Sequence, residues 1–120
     1  TDMGIKLYDS ERKVMAVLWE EGDSTAKHIS DILKEQVGWN INTTYTVIKK
    51  CIGKGAIERL EPNFLCHALV SREEIQASET DELIDKIYDG SADMLFASLL
   101  TRKTLSSEQI NRLKKIVEEG

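Results

Sequence analysis

The chain has 120 residues, of which 41% are hydrophobic and 31% charged, a net charge of −5 and a single proline. This length suffices for one ordinary core or two small units and excludes a large catalytic barrel. No apolar run approaches the roughly 20 residues that span a bilayer, no signal peptide is visible at the N-terminus, and two cysteines make no disulfide framework. We therefore expect a cytoplasmic protein with no membrane insertion.

The first predicted helix covers about residues 10–21. Asp9 or Ser10 is expected to cap it, and Gly22 to end it. Its apolar residues recur at helical spacing, so we expect these side chains to point inward: Val14, Val17 and Leu18.

A second helix is predicted from Asp23 or Ser24, either of which could be its cap, to about residue 36, where Gly38 ends it. Its predicted buried stripe consists of Ala26, Ile29, Ile32 and Leu33. Short helices joined by tight turns that contain glycine are typical of a helix-turn-helix unit.

The third predicted helix, from about residue 41, has two faces of different character. At 100° per residue, one arc is apolar and comprises Thr44, Val47, Ile48, Cys51 and Ile52. The opposite arc offers hydroxyl, amide and ammonium groups without a carboxylate, from Asn42, Thr43, Thr46, Lys49 and Lys50. Such an arc suits a DNA major groove, where polar side chains meet base edges and lysines meet phosphates; an ordinary solvated face is the alternative. Asn42 or a neighbouring threonine is the expected cap.

The distribution of charge leaves room for DNA despite the acidic total. Residues 1–70 carry nine basic against ten acidic residues, and residues 71–120 carry seven against eleven. Within residues 40–59, Lys49, Lys50, Lys54 and Arg59 face only Glu58, which gives a local charge of +3. We expect this basic patch to make few phosphate contacts and to bind non-specific DNA modestly.

A β-hairpin is predicted next. Two β-compatible runs, residues 56–60 and 64–70, surround the turn signal Glu61-Pro62-Asn63. A hairpin directly after a helix of this kind is a wing, and Arg59 is expected to contact the DNA backbone beside it. Tyr45 flanks the polar arc, where its phenol could reach a phosphate or a thymine methyl group, or could cover the edge of the core.

The last third of the chain is predicted to be helical and is rich in apolar residues. Two capping boxes, Ser71 with Glu74 and Ser106 with Gln109, open helices, and Gly90 ends the first of them near residue 88. These short helices cannot bury their apolar surface among themselves, so we expect a second copy of the chain to cover it. A helical cap packed on its own wing is the alternative. The predicted dimerisation residues are Leu83, Ile84, Ile87, Tyr88, Met94, Leu95, Phe96, Leu99, Leu100, Ile110, Leu113 and Val117.

Four short stretches carry a resemblance to a known family. Residues 11–19 read ERKVMAVLW, residues 43–51 TTYTVIKKC, residues 53–55 GKG and residues 88–90 YDG. In this order they resemble the patterns E-x-x-V-M-x-x-x-W, T-x-x-T-x-x-x-R-L, K-K-G and Y-x-G of the penicillinase and methicillin-resistance repressors, a family of bacterial winged-helix regulators. The resemblance extends from about residue 7 to residue 116.

The resemblance implies a homodimeric repressor that binds inverted-repeat operators in double-stranded DNA. The winged domain would read DNA and the C-terminal helices would dimerise. The penicillinase branch of the family regulates β-lactam resistance and is induced by cleavage within the dimerisation region, after a membrane sensor-protease detects a β-lactam. By alignment the cleaved bond would be Ser98-Leu99, where the asparagine of the family is absent. The C-terminal cysteine cluster of the copper-responsive branch is missing as well.

Several residues depart from the family pattern. Lys50 stands in place of an arginine near the end of the recognition helix, and it lacks the bidentate fork of a guanidinium. Asn42 and Tyr45 stand where relatives often carry basic residues, and Glu61 places an acid in the wing. The operator sequence is therefore left open.

No metal, cofactor or catalytic site is predicted. Cys66 and His67 are adjacent, and neighbours in a strand point to opposite faces, which is poor geometry for chelation. Cys51 lies on the apolar arc, where a buried thiol is expected. A pairing of Cys66 with His28 as nucleophile and base has no supporting motif.

The sequence therefore predicts an α+β fold, mainly α. A winged helix-turn-helix DNA-binding domain is expected over residues 1–71 and a helical dimerisation domain over residues 72–120. The predicted function is a non-enzymatic repressor whose dimer blocks access of polymerase to a promoter. A winged helix used as a protein-interaction module, without sequence-specific DNA binding, is the alternative; steep salt dependence of DNA binding would separate the two.

Overall fold

The computed structural model describes residues 4–120, and in this range it has six helices and three strands. In chain order they are α1 (Asp9–Glu21), β1 (Ser24–Thr25), α2 (Ala26–Val37), α3 (Ile41–Gly53), β2 (Ile57–Leu60), β3 (Leu65–Ala68), α4 (Arg72–Ile87), α5 (Ala92–Thr101) and α6 (Ser107–Glu119). The fold has two compact units: unit 1 ends at Glu79, and unit 2 is Thr80–Gly120. None of the helices described is long and apolar enough to cross a membrane.

Helix α1 starts one residue earlier than predicted, and the predicted cap was wrong. Tyr8 is the N-cap, and its backbone N–H donates to Oε1 of Glu11 at 2.8 Å. In this bond the side chain of Glu11, the third helical residue, accepts from the backbone of the cap, so the cap itself needs no hydroxyl or carboxylate. Asp9 could therefore enter the first turn of the helix. Gly22 ends the helix at φ 82°, as the glycine signal predicted.

Ser24 and Thr25 form a short strand, so the prediction that Asp23 or Ser24 caps α2 was wrong. They pair antiparallel with β3, Ser24 opposite Cys66 and Thr25 opposite Leu65. Thr25 then caps α2, with its Oγ1 accepting from the backbone N–H of His28 at 3.1 Å. Two residues are too few to show the alternation that marks a strand, and the pairing partner lies some forty residues away.

The predicted wing is confirmed. Strands β2 and β3 form an antiparallel hairpin, and β3 lies in the middle of the three-stranded sheet β1-β3-β2. The backbone N–H of Ala26 donates to the carbonyl oxygen of Phe64 at 3.0 Å, which ties the hairpin to the start of α2. The order α1-β1-α2-α3-β2-β3 is that of a winged helix-turn-helix, as predicted.

A single core fills unit 1. It takes side chains from all three helices of the helix-turn-helix, from the sheet and from the start of α4. The predicted inward residues of α1 are buried, as are those of α2 except Ile32, which is half-buried. The buried apolar side chains are Leu7, Val14, Met15, Val17, Leu18, Ala26, Ile29, Leu33, Val47, Ile48, Cys51, Ala56, Ile57, Cys66 and Ile75.

Both predicted capping boxes are present. Ser71 and Glu74 exchange bonds of 2.8 Å and 3.0 Å at the start of α4, and Ser106 and Gln109 exchange bonds of 2.8 Å and 3.1 Å at the start of α6. The sequence could predict both boxes because the two partners of each lie within one helical turn.

Candidate nucleic-acid interface

The N-cap of helix α3 is Asn40, whereas Asn42 or a neighbouring threonine was predicted. Asn40 has extended backbone angles, and its Oδ1 accepts from the backbone N–H of Thr43 at 2.8 Å. Asn42, predicted as the cap, instead lies in the first turn with its side chain exposed. Both asparagines satisfy the sequence preference for a cap, and the sequence alone could not choose between them.

The predicted apolar arc of α3 is confirmed as its buried face. Thr44, Val47, Ile48 and Cys51 are buried in the core, and Ile52 is half-buried. The hydroxyl of Thr44 donates back to the carbonyl oxygen of Asn40 at 3.4 Å, so this polar group is satisfied within the helix. Packing on this face fixes which residues of α3 face away from the core.

The opposite face of α3 is exposed and free of carboxylates. The residues on this exposed face are Asn42, Thr43, Thr46, Lys49 and Lys50. Within residues 4–120 the side chains of Lys49 and Lys50 are not held by a hydrogen bond or ion pair, although the positive charge of Lys50 also acts on the carboxylate of Glu11. Both ammonium groups are exposed and can meet an anionic partner.

Tyr45 belongs to the edge of the core. It is half-buried and packs against the core cluster, with its ring edge-on to that of Phe64 at a centroid distance of 5.7 Å. Such aromatic pairs are stabilising beyond the area they bury. Tyr45 thereby joins α3 to the wing turn, which is the covering role that the sequence left open beside a DNA contact.

Arg59 already has partners within the hairpin. Its Nε donates to Oε2 of Glu61 at 2.6 Å, and its guanidinium lies 3.7 Å from the centroid of the Phe64 ring. To make the predicted contact with the DNA backbone, the guanidinium of Arg59 would have to leave Glu61 or bond to Glu61 and a phosphate at the same time. An exposed pair of this kind holds its side chain only weakly, since it contributes little free energy in water.

Lys54 is paired with a carboxylate, so the charge available to DNA near α3 is smaller than the sequence indicated. Its ammonium group donates to Oε1 of Glu11 at 2.6 Å and to the carbonyl oxygen of Lys6 at 2.8 Å. The local charge of +3 counted this lysine without its partner, which lies 43 positions away in the sequence. Since Arg59 is paired as well, the exposed lysines of this region without an ion pair to a described residue are Lys49 and Lys50.

A second candidate surface lies in unit 2. None of the side chains there is fully buried, although its helices are rich in large apolar residues. Of the predicted dimerisation residues, six are exposed: Leu83, Ile87, Met94, Phe96, Leu100 and Val117. The other six are half-buried: Ile84, Tyr88, Leu95, Leu99, Ile110 and Leu113.

Helices α5 and α6 form an open apolar groove of about 260 Å³. It is lined mainly by Phe96, Leu100, Ile110, Leu113 and Val117, all of which were predicted to take part in dimerisation. Ile116, which was not among the predicted residues, is also exposed on α6. The signal that could have found it was its spacing of three residues from Leu113, which places the two side chains on one side of the helix.

Ser98 and Leu99, the aligned cleavage position, lie inside α5 and are half-buried. A protease binds its substrate in an extended conformation, so this bond is accessible only when the helix opens locally.

The cysteines and histidines do not combine into a reactive or metal-binding site. Burial raises the pKa of Cys51 to about 12 and that of Cys66 to about 11, so both thiols are protonated at neutral pH. His67 is paired instead with Asp23, at 2.7 Å between Nδ1 and Oδ1. Among the residues described, no cluster of three or more potential ligands could hold a metal ion.

Comparison with known proteins relates nearly the whole chain to one family. The profile of the family described as Penicillinase repressor matches residues 7–119. The methicillin resistance regulatory protein MecI of Staphylococcus aureus (strain N315) is 26% identical over 116 residues, 95% of this chain and 94% of that protein. The Penicillinase repressor of Bacillus licheniformis is 23% identical over 116 residues, 95% of this chain and 91% of that protein.

Among solved structures, the solution structure of the DNA binding domain of the repressor BlaI has a TM-score of 0.55 and 20% identity to this chain. The match covers 62% of this chain and 93% of that one. It supports the same winged-helix fold as the element order described above.

Proposed function

The chain belongs to the penicillinase repressor family, and from this membership we propose that it is a DNA-binding transcriptional repressor that acts as a homodimer on inverted-repeat operators. In this proposal residues 1–71 read DNA and residues 72–120 dimerise. The repressor works in the cytoplasm by occupying DNA that polymerase needs, and it has no catalytic role.

The exposed face of α3 is the observation that carries the proposal. It presents an amide, two hydroxyls and two exposed ammonium groups, while the opposite face of the same helix is buried. Polar side chains of this kind can bond to base edges in a major groove, and lysines neutralise phosphates. We assign base contacts to Asn42, Thr43 and Thr46 and phosphate contacts to Lys49 and Lys50, with Tyr45 and Arg59 in supporting contacts at the edge.

The expected salt dependence of DNA binding follows from the small number of lysines assigned to phosphates. Each phosphate neutralised contributes about −0.9 to the slope of log K against log salt on duplex DNA. Two lysines from each of two protomers would give a slope of roughly −3.6 by the same relation. Affinity should therefore fall with salt, though less steeply than for strongly basic DNA-binding proteins.

The test is an anisotropy titration of fluorescent duplex DNA from the region upstream of the protein's own gene. It is run at several salt concentrations, with a scrambled duplex as the control. We expect binding of two protomers per site, a preference over the scramble, and a falling affinity as salt rises. Equal affinity for both duplexes at every salt concentration would refute sequence-specific repression and favour the interaction-module alternative.

Charge-matched variants separate the α3 lysines from the total charge. Lys49→Gln and Lys50→Gln should each lower the magnitude of the slope by about 0.9 per protomer. Lys115→Gln makes the same change in net charge on α6, outside unit 1, and should leave the slope unchanged. An equal effect of all three would mean that DNA responds to net charge alone.

Dimerisation is supported by the exposed apolar surface of unit 2. Burying one large aliphatic side chain contributes about 1.5–3 kcal/mol, and α5 and α6 leave several such groups in water. A second copy of the chain presents the same surface, and isologous contacts of this kind are the commonest in soluble oligomers. Two copies would also place two α3 helices on successive turns of DNA, about 34 Å apart or a multiple of it.

Light scattering coupled to size-exclusion chromatography tests the dimer. Val117→Lys introduces a charge at a position that is 74% exposed in the isolated chain, so the fold of the monomer should tolerate it. We expect this variant to shift the mass from dimer to monomer. Asn111→Lys adds the same lysine to an exposed polar position of α6 and should remain dimeric. A monomeric parent protein, or a dimer equally stable in both variants, would contradict the assignment.

We further propose that the repressor is induced by proteolysis. We place the cut within residues 94–101, with the Ser98-Leu99 bond as the aligned position and a membrane sensor-protease as the agent. Since that bond is helical and half-buried, cleavage requires local opening of α5 and would then separate part of the dimerisation surface. Intact mass after exposure of producing cells to a β-lactam tests this; uncut protein alongside derepressed transcription would exclude it.

A further inference from the structure

An ion pair between a buried carboxylate and a partly exposed lysine joins the start of α1 to the end of α3. Glu11 lies in the first turn of α1 and is only 2% exposed, and its Oε1 accepts from the ammonium group of Lys54 at 2.6 Å. The backbone N–H of Tyr8 donates to the same oxygen at 2.8 Å. A carboxylate this deeply buried is stable as an anion only with such partners.

Lys54 is held from three directions. Besides Glu11, its ammonium group donates to the carbonyl oxygen of Lys6 at 2.8 Å and lies 4.3 Å from the centroid of the Tyr8 ring. The backbone of the same residue is the C-cap of α3, and its N–H donates to the carbonyl oxygen of Lys50 at 3.0 Å. One residue therefore ends α3 and also fastens that end to α1.

We propose that Glu11 and Lys54 are positioning residues for the DNA-reading face of α3, and that Lys54 is not itself a phosphate contact. The pair fixes the rotation and the axial position of α3 against α1, and so decides where Lys49 and Lys50 point. The part of this inference that concerns DNA rests on the proposed function.

Electrostatics explains why Lys54 stays with Glu11. To reach a phosphate, the ammonium group would have to leave a buried carboxylate without its counter-ion, and removing one partner of a buried pair is strongly unfavourable. Burial alone would raise the pKa of Glu11, but the hydrogen bonds from Lys54 and Tyr8, together with the positive charges of Lys54 and Lys50, outweigh it and the pKa is lowered. The carboxylate is therefore ionised at neutral pH and continues to require the lysine.

The ion pair between Glu11 and Lys54 fixes the position of α3 more precisely than apolar packing can. Val47, Ile48 and Cys51 hold α3 on the core, yet such contacts have no preferred direction and tolerate small rotations of a helix. The bonds from one ammonium group to Glu11 and to the Lys6 carbonyl break within a shift of about 1 Å. A rotation of α3 would also displace Lys50, only four residues before Lys54.

The experiment compares operator binding by Lys54→Met, Lys49→Gln and the double variant Glu11→Met with Lys54→Met, at several salt concentrations. Circular dichroism confirms that each variant is folded at the assay temperature. For Lys54→Met we expect affinity to fall by roughly tenfold with the salt slope unchanged, because α3 shifts but no phosphate contact is lost. Lys49→Gln should lower the magnitude of the slope by about 0.9 per protomer.

The double variant decides between the two roles of Lys54. It leaves no buried charge, so it should fold and recover most of the operator affinity that Lys54→Met loses. If Lys54→Met lowers the slope as Lys49→Gln does, and the double variant recovers nothing, Lys54 is a phosphate contact and the proposal is overturned.

Failure of the proposed function is distinguished by the parent protein. If the parent shows no preference for its operator, the proposed repressor function is refuted. The role of Glu11 and Lys54 is then tested without DNA, by a double-mutant cycle on the free energy of unfolding in urea. Coupled effects of Glu11→Met and Lys54→Met, with faster amide exchange in the last turn of α3 for each single variant, would support positioning of the helix. Additive effects with unchanged exchange would overturn it.

Discussion

Asn40 and Asn42 lie two residues apart at the start of α3, and the structure gives them different roles. Asn40 is the N-cap, with its Oδ1 bonded to the backbone N–H of Thr43 at 2.8 Å, whereas Asn42 is exposed in the first turn. Asn40→Ala removes this bond, and loss of such a cap costs about 1 kcal/mol, within a range of roughly 0.5–2. Asn42→Ala removes no cap and should change the free energy of unfolding by less than about 0.5 kcal/mol.

Thermal unfolding followed by circular dichroism measures the difference. A loss of about 1 kcal/mol lowers the Tm of a domain of roughly 60–100 residues by about 4–8 °C, and unit 1 falls in this range. We expect a shift of this size for Asn40→Ala and none for Asn42→Ala or for Asn40→Asp, which keeps a capping oxygen. Operator binding should show the reverse order, with Asn42→Ala the more damaging at temperatures where both variants are folded. An equal or larger loss of Tm for Asn42→Ala would refute the assignment of the cap and restore the one predicted from sequence.

Three further predictions concern the core, the thiols and the wing. Leu33→Ala should reduce the free energy of unfolding in urea by about 2–5 kcal/mol, because the side chain is fully buried and leaves a cavity; a loss below about 1 kcal/mol would mean that the core collapses around it. Cys51 and Cys66 should not react with a thiol reagent in the native protein near pH 8 and should both react in denaturant, since burial holds their pKa values at about 12 and about 11; rapid reaction of either native thiol would contradict its burial. The hydrogen bond to Asp23 raises the pKa of His67 in the folded protein. The ion pair therefore stabilises the fold below the ordinary histidine pKa of about 6.5, and this stabilisation is lost as pH rises through the pKa of His67 in the folded protein. His67→Gln should therefore lower Tm near pH 6 and match the parent near pH 8; an equal difference at both would rule out a charged pair.

Short-range features could be predicted because both partners lie in one window of sequence. The two faces of α3 follow from helical periodicity, and the structure confirms which one is buried. The capping boxes at Ser71 and Ser106 pair residues three apart, and Gly22 and Gly38 end their helices at positive φ. The order of these elements was enough to predict a winged helix-turn-helix.

The candidate site was only partly predictable from the sequence. The exposed face of α3 was predicted residue by residue, because it is the complement of the apolar arc. The state of each charge on and near it was not, since Lys54 is paired with Glu11 across 43 positions. Arg59 and Glu61 are only two positions apart, but the hydrophobic pattern that predicted the hairpin does not indicate which charged side chains bond to each other.

Sequence by itself determined the main helices, the wing, the family and the polar face of α3, all of which depend on periodicity or on motifs a few residues long. Tertiary structure decided that Ser24 and Thr25 form a strand, that Asn40 caps α3, and that Lys54 pairs with Glu11. Each of these depends on which backbone or charged group comes within about 3 Å, and hydrogen bonds and ion pairs act only at such distances. A pattern of residue types fixes which face of a helix is buried, but only the packed chain brings a buried carboxylate to its lysine.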